Sequence, residues 1–233
     1  MMEPAEFDKF AEEYKSIHTA NIKIFRESPE YFSDYKMRDL KRIVEANQNI
    51  SESGHFLDFG SGAGWSVPFF RKHLPNARLT CVDVSKSCLE IGKLHHGSSV
   101  DFVCYDGMRI PFADNTFEGE YVFCVFHHIP LNEQIRLLQE LQRVLKPKGT
   151  IMLYEHNPLN PLTVQTVNNC QFDKNAVLIR AWTMRKRLES AGFVAPTINY
   201  RVFFPRALCG LRWMEDWLKW LPLGAQYYIS ATK

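Results

Sequence analysis

What the sequence lacks narrows the field first. No charge of one sign dominates: 28 lysines and arginines against 26 aspartates and glutamates leave a formal net charge of +2, so the electrostatic footprint of a nucleic-acid-binding domain is missing. None of the six cysteines (Cys81, Cys88, Cys104, Cys124, Cys170 and Cys209) stands at C-x-x-C spacing from another. That argues against a cysteine-based zinc site or a disulfide framework, and it leads us to expect no metal, reduced thiols and a cytoplasmic setting. No run of about 18 apolar residues occurs, so no membrane-spanning helix is expected. The acidic start Met1-Met2-Glu3-Pro4-Ala5-Glu6 offers no apolar core for a secretory leader. Hydrophobic residues at 45% and charged residues at 23% of 233 exclude a disordered or fibrous chain and fit one domain, or one domain with a cap.

What is present is organised around His55-Phe56-Leu57-Asp58-Phe59-Gly60-Ser61-Gly62-Ala63-Gly64. The apolar run ending in Asp58 and Phe59 reads as a buried parallel strand, and glycines at every second position read as a tight turn. Glycine permits positive φ and lets main chain approach a ligand closely. With a helix expected from Trp65 to about His73, the corner offers free N–H groups to an anionic ligand. A dinucleotide fingerprint, G-x-G-x-x-G, would put its third glycine where Trp65 stands, but the glycine here comes one residue early at Gly64. This weakens a pyrophosphate reading, and a nicotinamide-dependent oxidoreductase stays open as an alternative.

The stretch Leu57-Asp58-Phe59-Gly60-Ser61-Gly62-Ala63-Gly64 resembles the glycine motif of class I S-adenosylmethionine-dependent methyltransferases. The resemblance runs from about Phe56 to Lys233. It implies an α/β, Rossmann-like seven-stranded sheet with the last strand antiparallel, and S-adenosyl-L-methionine as cofactor, with Asp58, Gly60, Ser61 and Gly62 on its methionine side. Residues 1–49 are expected to form an N-terminal helical cap on a methyltransferase domain of residues 50–233. In the cap Phe7, Phe10 and Tyr14, and then Tyr35, Leu40, Ile43 and Val44, recur at helical spacing on either side of a break at Ser28-Pro29. In resembling enzymes such an extension closes over the cofactor, which makes Tyr14 and Lys36 contact candidates, Lys36 through the cofactor carboxylate.

Strands and helices alternate onward. Ala77 to Asp83 reads as a second strand, and its closing acid lies 19 residues beyond Gly64, about where doubly wound folds place a carboxylate on the ribose. Asp83 and its neighbour Val84 are cofactor candidates, and Ser85 is the expected cap of a helix running toward His95 and His96. A third strand, Val100 to Cys104, leads to Asp106 and Gly107, where the resemblance puts recognition of the adenine amino group. A fourth strand is expected from Phe117 to His128; the resemblance implies that Cys124 and Val125 line the cofactor, and the carboxyl end of the strand makes His128, ahead of His127, an acceptor-side candidate. A helix over 132–145 with Ile135, Leu138, Leu141 and Leu145 as its core stripe precedes a fifth strand, Thr150 to Tyr154. Glu155 and His156 follow it as candidates, with His128, for general base or acceptor orienter.

Residues 156–182 read as a long, irregular acceptor-side lid. A helix from Met184 to Ala191 stopped by Gly192, and strands Thr197–Phe204 and Gln226–Ala231, complete the sheet. Between those strands Leu211, Met214, Leu218 and Leu221, beside Trp213, Trp217 and Trp220, form a broad apolar stripe over 207–221 that is expected to pack on the sheet, with contact to a membrane surface, a lipid-like acceptor or a second subunit as the other readings. The chain has Cys124-Val125-Phe126-His127 where nucleic-acid amino-methyltransferases carry Asn/Asp-Pro-Pro-aromatic. The implied acceptor is therefore a small molecule, a sugar or a lipid-linked intermediate, and Glu155 to Asp173 is similar to bacterial methyltransferases of glycan and lipid biosynthesis. A non-catalytic S-adenosylmethionine-binding protein is a further alternative.

Overall fold

The computed structural model describes residues 27–170, 173 and 175–233. Its centre is a seven-stranded sheet of order β3-β2-β1-β4-β5-β7-β6, built from β1 (His55–Phe59), β2 (Arg78–Asp83), β3 (Asp101–Cys104), β4 (Phe117–Phe123), β5 (Leu145–His156), β6 (Val194–Arg201) and β7 (Gln226–Thr232). The pairs from β3 to β5 are parallel, while β7 runs antiparallel to both β5 and β6. The expected sheet and its reversed last strand are both found. Strand order reverses between β1 and β4, and at such a switch point the carboxyl ends of parallel strands leave a crevice open to ligands.

Alternation along the strands feeds two cores. Leu57, Val122, Leu153 and Ile229 face Leu138, Leu141, Met184 and Leu188, from α4 (Gln134–Val144) and α6 (Ala181–Ser190). Their neighbours Phe56, Tyr121, Met152 and Tyr228 face the other way, onto Met37, Leu40, Val44, Phe70 and Leu89, from α1 (Pro29–Ala46), α2 (Val67–His73) and α3 (Lys86–His96). Both faces of the parallel strands are covered, which explains their near-continuous apolar runs. As read from the sequence, Ser85 caps α3 by accepting from the Cys88 amide at 3.2 Å, and Gly192, at φ +98°, ends α6.

The helix α1 begins as Ser28-Pro29 foretells, with the Ser28 hydroxyl accepting from Tyr31 N and Pro29 at its first position. A buried ion pair ties it to the sheet. Asp39 accepts from Arg201 Nε at 2.9 Å and Nη2 at 2.7 Å, and from the Tyr154 hydroxyl at 2.5 Å. Tyr35 on the same helix stacks under the Arg201 guanidinium at 4.9 Å and donates to Glu215.

Several boundaries differ from expectation. Strand β4 ends at Phe123 rather than His128; Cys124 turns to φ +58° and Phe126–His128 form a 3-10 turn. The cause lies in β5, where Glu155 accepts the Val125 and Phe126 amides at 3.1 and 2.7 Å and so takes the donors that a longer strand would use. The stripe of α4 is Leu137, Leu138, Leu141 and Val144, with Ile135 exposed and Leu145 already in β5. The segment expected to be an irregular lid is not irregular throughout: Asn160 and Pro161 open α5 (Pro161–Asn168), Asn160 accepting from Thr163 N at 3.1 Å. Strand β6 starts three residues before Thr197 and stops at Arg201.

The stripe after β6 is the largest departure. Arg206–Asp216 is a 3-10 helix, and Trp213, Trp217 and Trp220 are 63%, 69% and 73% exposed, with Leu208, Leu211 and Leu223 exposed beside them. They do not pack on the sheet, because in that helix the buried side chain is Glu215, held by Tyr35 Oη and by the Phe203 and Phe204 amides.

Candidate active site

The crevice has two sides. On the first, β1 delivers the glycine turn, with the Gly60 and Ser61 amides donating to Val82 O at 2.8 and 3.2 Å. Gly60 sits at φ +74°, and a Cβ there would stand 2.5 Å from Val125 Cγ2. Nothing lies within 4 Å of the corresponding point at Gly62, φ +53°, so the turn is open above that residue. Asp83 closes the turn from β2. Its Oδ2 accepts Gly62 N at 2.7 Å and its Oδ1 accepts Ser85 N at 2.9 Å. Both carboxylate oxygens of Asp83 thus face main-chain donors of the two turns that flank them.

After β3, the exposed Asp106 accepts the Met108 and Arg109 amides at 2.8 and 2.9 Å, and these bonds hold its carboxyl below the usual range. Gly107, φ +77°, leaves its open side 3.8 Å from Val84 Cγ1. Asp58 lies under the turn rather than in the crevice. It is buried, accepts the Ser66 hydroxyl at 2.5 Å, and is pushed up to about 7 by burial against the opposing hydrogen bonds.

The second side gathers at the ends of β4, β5 and β7. Cys124 N donates to Tyr154 O at 2.9 Å, and Lys36 Nζ from α1 reaches its Sγ at 3.3 Å while lying over the Phe123 and Tyr154 rings. Burial would raise this thiol, but Lys36 and His156 draw it down to about 7. The pairing of β5 with β7 sets Gln226 opposite His156. Gln226 Nε2 lies 3.7 Å from Cys124 Sγ and 3.5 Å from His156 Nδ1, and its buried Oε1 finds no partner among the described residues.

Deeper, Glu155 is fully engaged. Oε1 takes the two amides named above and Oε2 lies 2.6 Å from His127 Nδ1. Burial would raise the Glu155 carboxyl, but His127 brings it down. Burial alone would lower His127, but Glu155 and Asp173 raise it. Burial and the neighbouring His127 hold His128 down to about 4. Asp173 Oδ1 stands 3.5 Å from His127 Nε2 and 3.4 Å from His128 Nε2.

Of the residues singled out in the sequence, Gly60, Ser61, Gly62, Asp83, Val84, Asp106 and Gly107 are brought to one side, and Lys36, Cys124, Val125, His128, Glu155 and His156 to the other. The close approach of Gly60 to Val125 joins the two. Tyr14 lies outside the described residues. Sequence reading missed Gln226, visible only once β7 is paired with β5, and Asp173, which nothing but the fold carries to the histidines. It also ranked His127 below His128, whereas His127, 2% exposed, is the hub of the network.

The fold and the glycine cradle are similar to those of class I S-adenosylmethionine-dependent methyltransferases. Residues 57–153 match the family described as methyltransferase domain. Among curated relatives, the chain is similar to the ubiquinone/menaquinone biosynthesis C-methyltransferase UbiE of Desulfotalea psychrophila, 30% identical over 119 residues that cover 51% of this chain and 48% of that protein. It is also similar to the demethylmenaquinone methyltransferase of Staphylococcus aureus, 31% identical over 118 residues, 49% of this chain and 48% of that one. The chain thus spans about half the length of these curated relatives. A SAM-dependent methyltransferase from Thermotoga maritima superposes with a TM-score of 0.67 at 19% identity, over 97% of this chain and 98% of that one. The [4+2]-cyclase SpnF shares the fold too, with a TM-score of 0.60 at 19% identity over 84% and 80% of the two chains, so the fold alone does not fix the reaction.

Proposed function

We propose that the protein transfers the methyl group of S-adenosylmethionine to a small apolar acceptor, quinone-like or lipid-linked, in the cytoplasm at or near a membrane surface. The observation that carries this reading is the cradle: an open glycine turn, spanned by Asp83, within residues that match a methyltransferase family. The donor set fits the cofactor. Gly60 to Gly62 would take the methionine part, Asp83 the ribose hydroxyls, Asp106 the adenine amino group, and Lys36 the carboxylate. When bound, the cofactor supplies a methyl group on a sulfonium, open to in-line displacement. The protein's task is then to hold the acceptor atom in line with that methyl group and keep water out.

The acceptor would lie against Lys36, Cys124, His128, His156 and Gln226. Glu155, with both oxygens committed, acts as a support for His127 rather than as a base. For an acceptor that must lose a proton, His156 and Cys124 are the groups in position to take it. The quinone-like class is supported by the names of the curated relatives and by the exposed tryptophans. Asn157 donates to Pro222 O at 3.1 Å and Gly224 O at 2.8 Å, and Asn160 donates to Leu223 O at 2.7 Å. The start of the lid is thereby tied to the end of the tryptophan segment. Trp side chains with Arg212 and Lys219 among them suit the interface of an anionic bilayer. No helix of the described residues is long and apolar enough to cross a membrane.

Methyl-labelled cofactor, incubated with the protein and with separate lipid and aqueous extracts, should put label into the lipid fraction. Label in the aqueous fraction alone would overturn the acceptor class. Bound cofactor with no transfer to either fraction would favour the non-catalytic alternative.

A further inference from the structure

We infer that His127, His128 and Asp173 form a binding site for one divalent transition-metal ion, of the class that takes imidazole and carboxylate ligands. The three ligand atoms, two imidazole Nε2 and one carboxylate oxygen, lie within 4.8 Å of one another. Their separations from Asp173 Oδ1, 3.5 Å for His127 and 3.4 Å for His128, are longer than the usual N–H···O bond of about 2.9–3.0 Å. They do match the edge of a tetrahedron whose centre stands about 2.0–2.2 Å from each ligand, which is roughly 3.3–3.6 Å for zinc-like ions.

The surroundings are those of a metal site. A histidine ligand characteristically gives its second ring nitrogen to a carboxylate, which fixes the ring. Here His127 Nδ1 is held by Glu155 Oε2 at 2.6 Å, with Glu155 itself pinned through Oε1 by the Val125 and Phe126 amides. This leaves Nε2 of His127 facing the cluster. The Asp173 segment is clamped to the histidines by main chain, with Asp173 N donating to Cys170 O, Ala176 N to Asp173 O, and Val177 N to His127 O at 2.8 Å. The ligands come from the turn after β4 and the segment after α5, so cysteine spacing, on which the expectation of no metal rested, could not bear on them.

Three protein ligands leave a fourth position, as in catalytic rather than structural sites. The His156 ring is 5.3 Å from that of His127, so the position neighbours the acceptor side and suits an acceptor oxygen or a water. That last role rests on the methyl-transfer reading; the ion site does not.

The test uses the full-length, tag-free chain, stripped with a chelator and titrated with Co2+. Wild type should take up one ion per chain with visible d–d absorption, and Zn2+ should displace it. His128→Gln and Asp173→Asn should each weaken binding at least tenfold, and Glu155→Gln by about 10–100-fold. His156→Gln should bind as wild type does. Calorimetric cofactor binding by His128→Gln and Asp173→Asn shows that those variants are folded. No uptake by wild type, or equal uptake by the ligand variants, would overturn the site. Full methyl transfer without ion uptake would overturn it while leaving the proposed reaction intact, and ion uptake without transfer to any extract would do the reverse.

Discussion

The two sides of the crevice are built from different material. The side that holds the glycine turn, proposed to take the cofactor, is made of backbone amides and small residues within a few positions of each strand end, and its carboxylates Asp83 and Asp106 are held by main-chain donors. The other side, proposed to face the acceptor, is made of side chains that come from α1, the turn after β4, β5, the segment after α5 and β7, partnering each other across up to 102 positions of sequence. One titratable group on each side moves to about 7 from opposite directions. Asp58 is lifted there by burial, whereas Cys124 is drawn down by Lys36 and His156 against burial. A side built from local main chain tolerates change elsewhere in the molecule; one assembled from distant side chains depends on every element that carries them.

The largest effect expected is on Asp83→Ala. Two hydrogen bonds to a charged acceptor are worth about 1.5–3 kcal/mol each, so calorimetry should find cofactor affinity reduced by at least two orders of magnitude. Unchanged affinity would remove Asp83 from the cofactor side. Next is Asp39→Ala, which takes two of the three carboxylate bonds from the buried Arg201 guanidinium and leaves it only the half-exposed Asp216. Such losses cost about 3–5 kcal/mol, so thermal unfolding should fall steeply, and in the folded fraction Lys36 should lose its hold on Cys124.

Asp58 gives a smaller, pH-dependent effect. Its folded pKa is raised from 3.8 to about 7, so its contribution to stability is fully present below about 4 and is lost as pH rises through 7. In cofactor-free protein the melting temperature of wild type should fall between pH 5 and 8 relative to that of Asp58→Asn; parallel curves would refute the assignment. Smallest is Lys36→Met, in which alkylation of Cys124 by iodoacetamide should titrate with a midpoint above the value of about 7 expected for wild type. An unmoved midpoint would mean that Lys36 does not set the thiol.

This contrast also explains what could be read in advance. The glycine turn, Asp83 and the Ser85 cap are local patterns, and the alternation of strands and helices gave the α/β sheet, whereas its reversed last strand came from the resemblance to class I methyltransferases. The end of β4 was misplaced because the residue that stops it, Glu155, lies 29 residues later than Phe126. Gln226 becomes a neighbour of His156 only through the β5–β7 register. Helical periodicity marked an apolar stripe after β6 but could not say what the stripe faces, since Glu215, not a tryptophan, fills the space beneath. Asn160-Pro161, inside a segment read as irregular, is a helix start whose cap and first residue were both in view.

The pair between Asp39 and Arg201 has one more consequence. Lys36 stands one helical turn before Asp39, so the clamp that fixes one fixes the other. Opening α1 would break a charge pair out of contact with water, together with the Tyr154 and Tyr35 hydroxyl bonds. That helix is therefore a wall of the chamber and not its door. The same helix also holds the start of the tryptophan segment, through Tyr35 to Glu215 and Arg42 to Asp216 at 3.1 Å, so what fixes α1 fixes that segment as well.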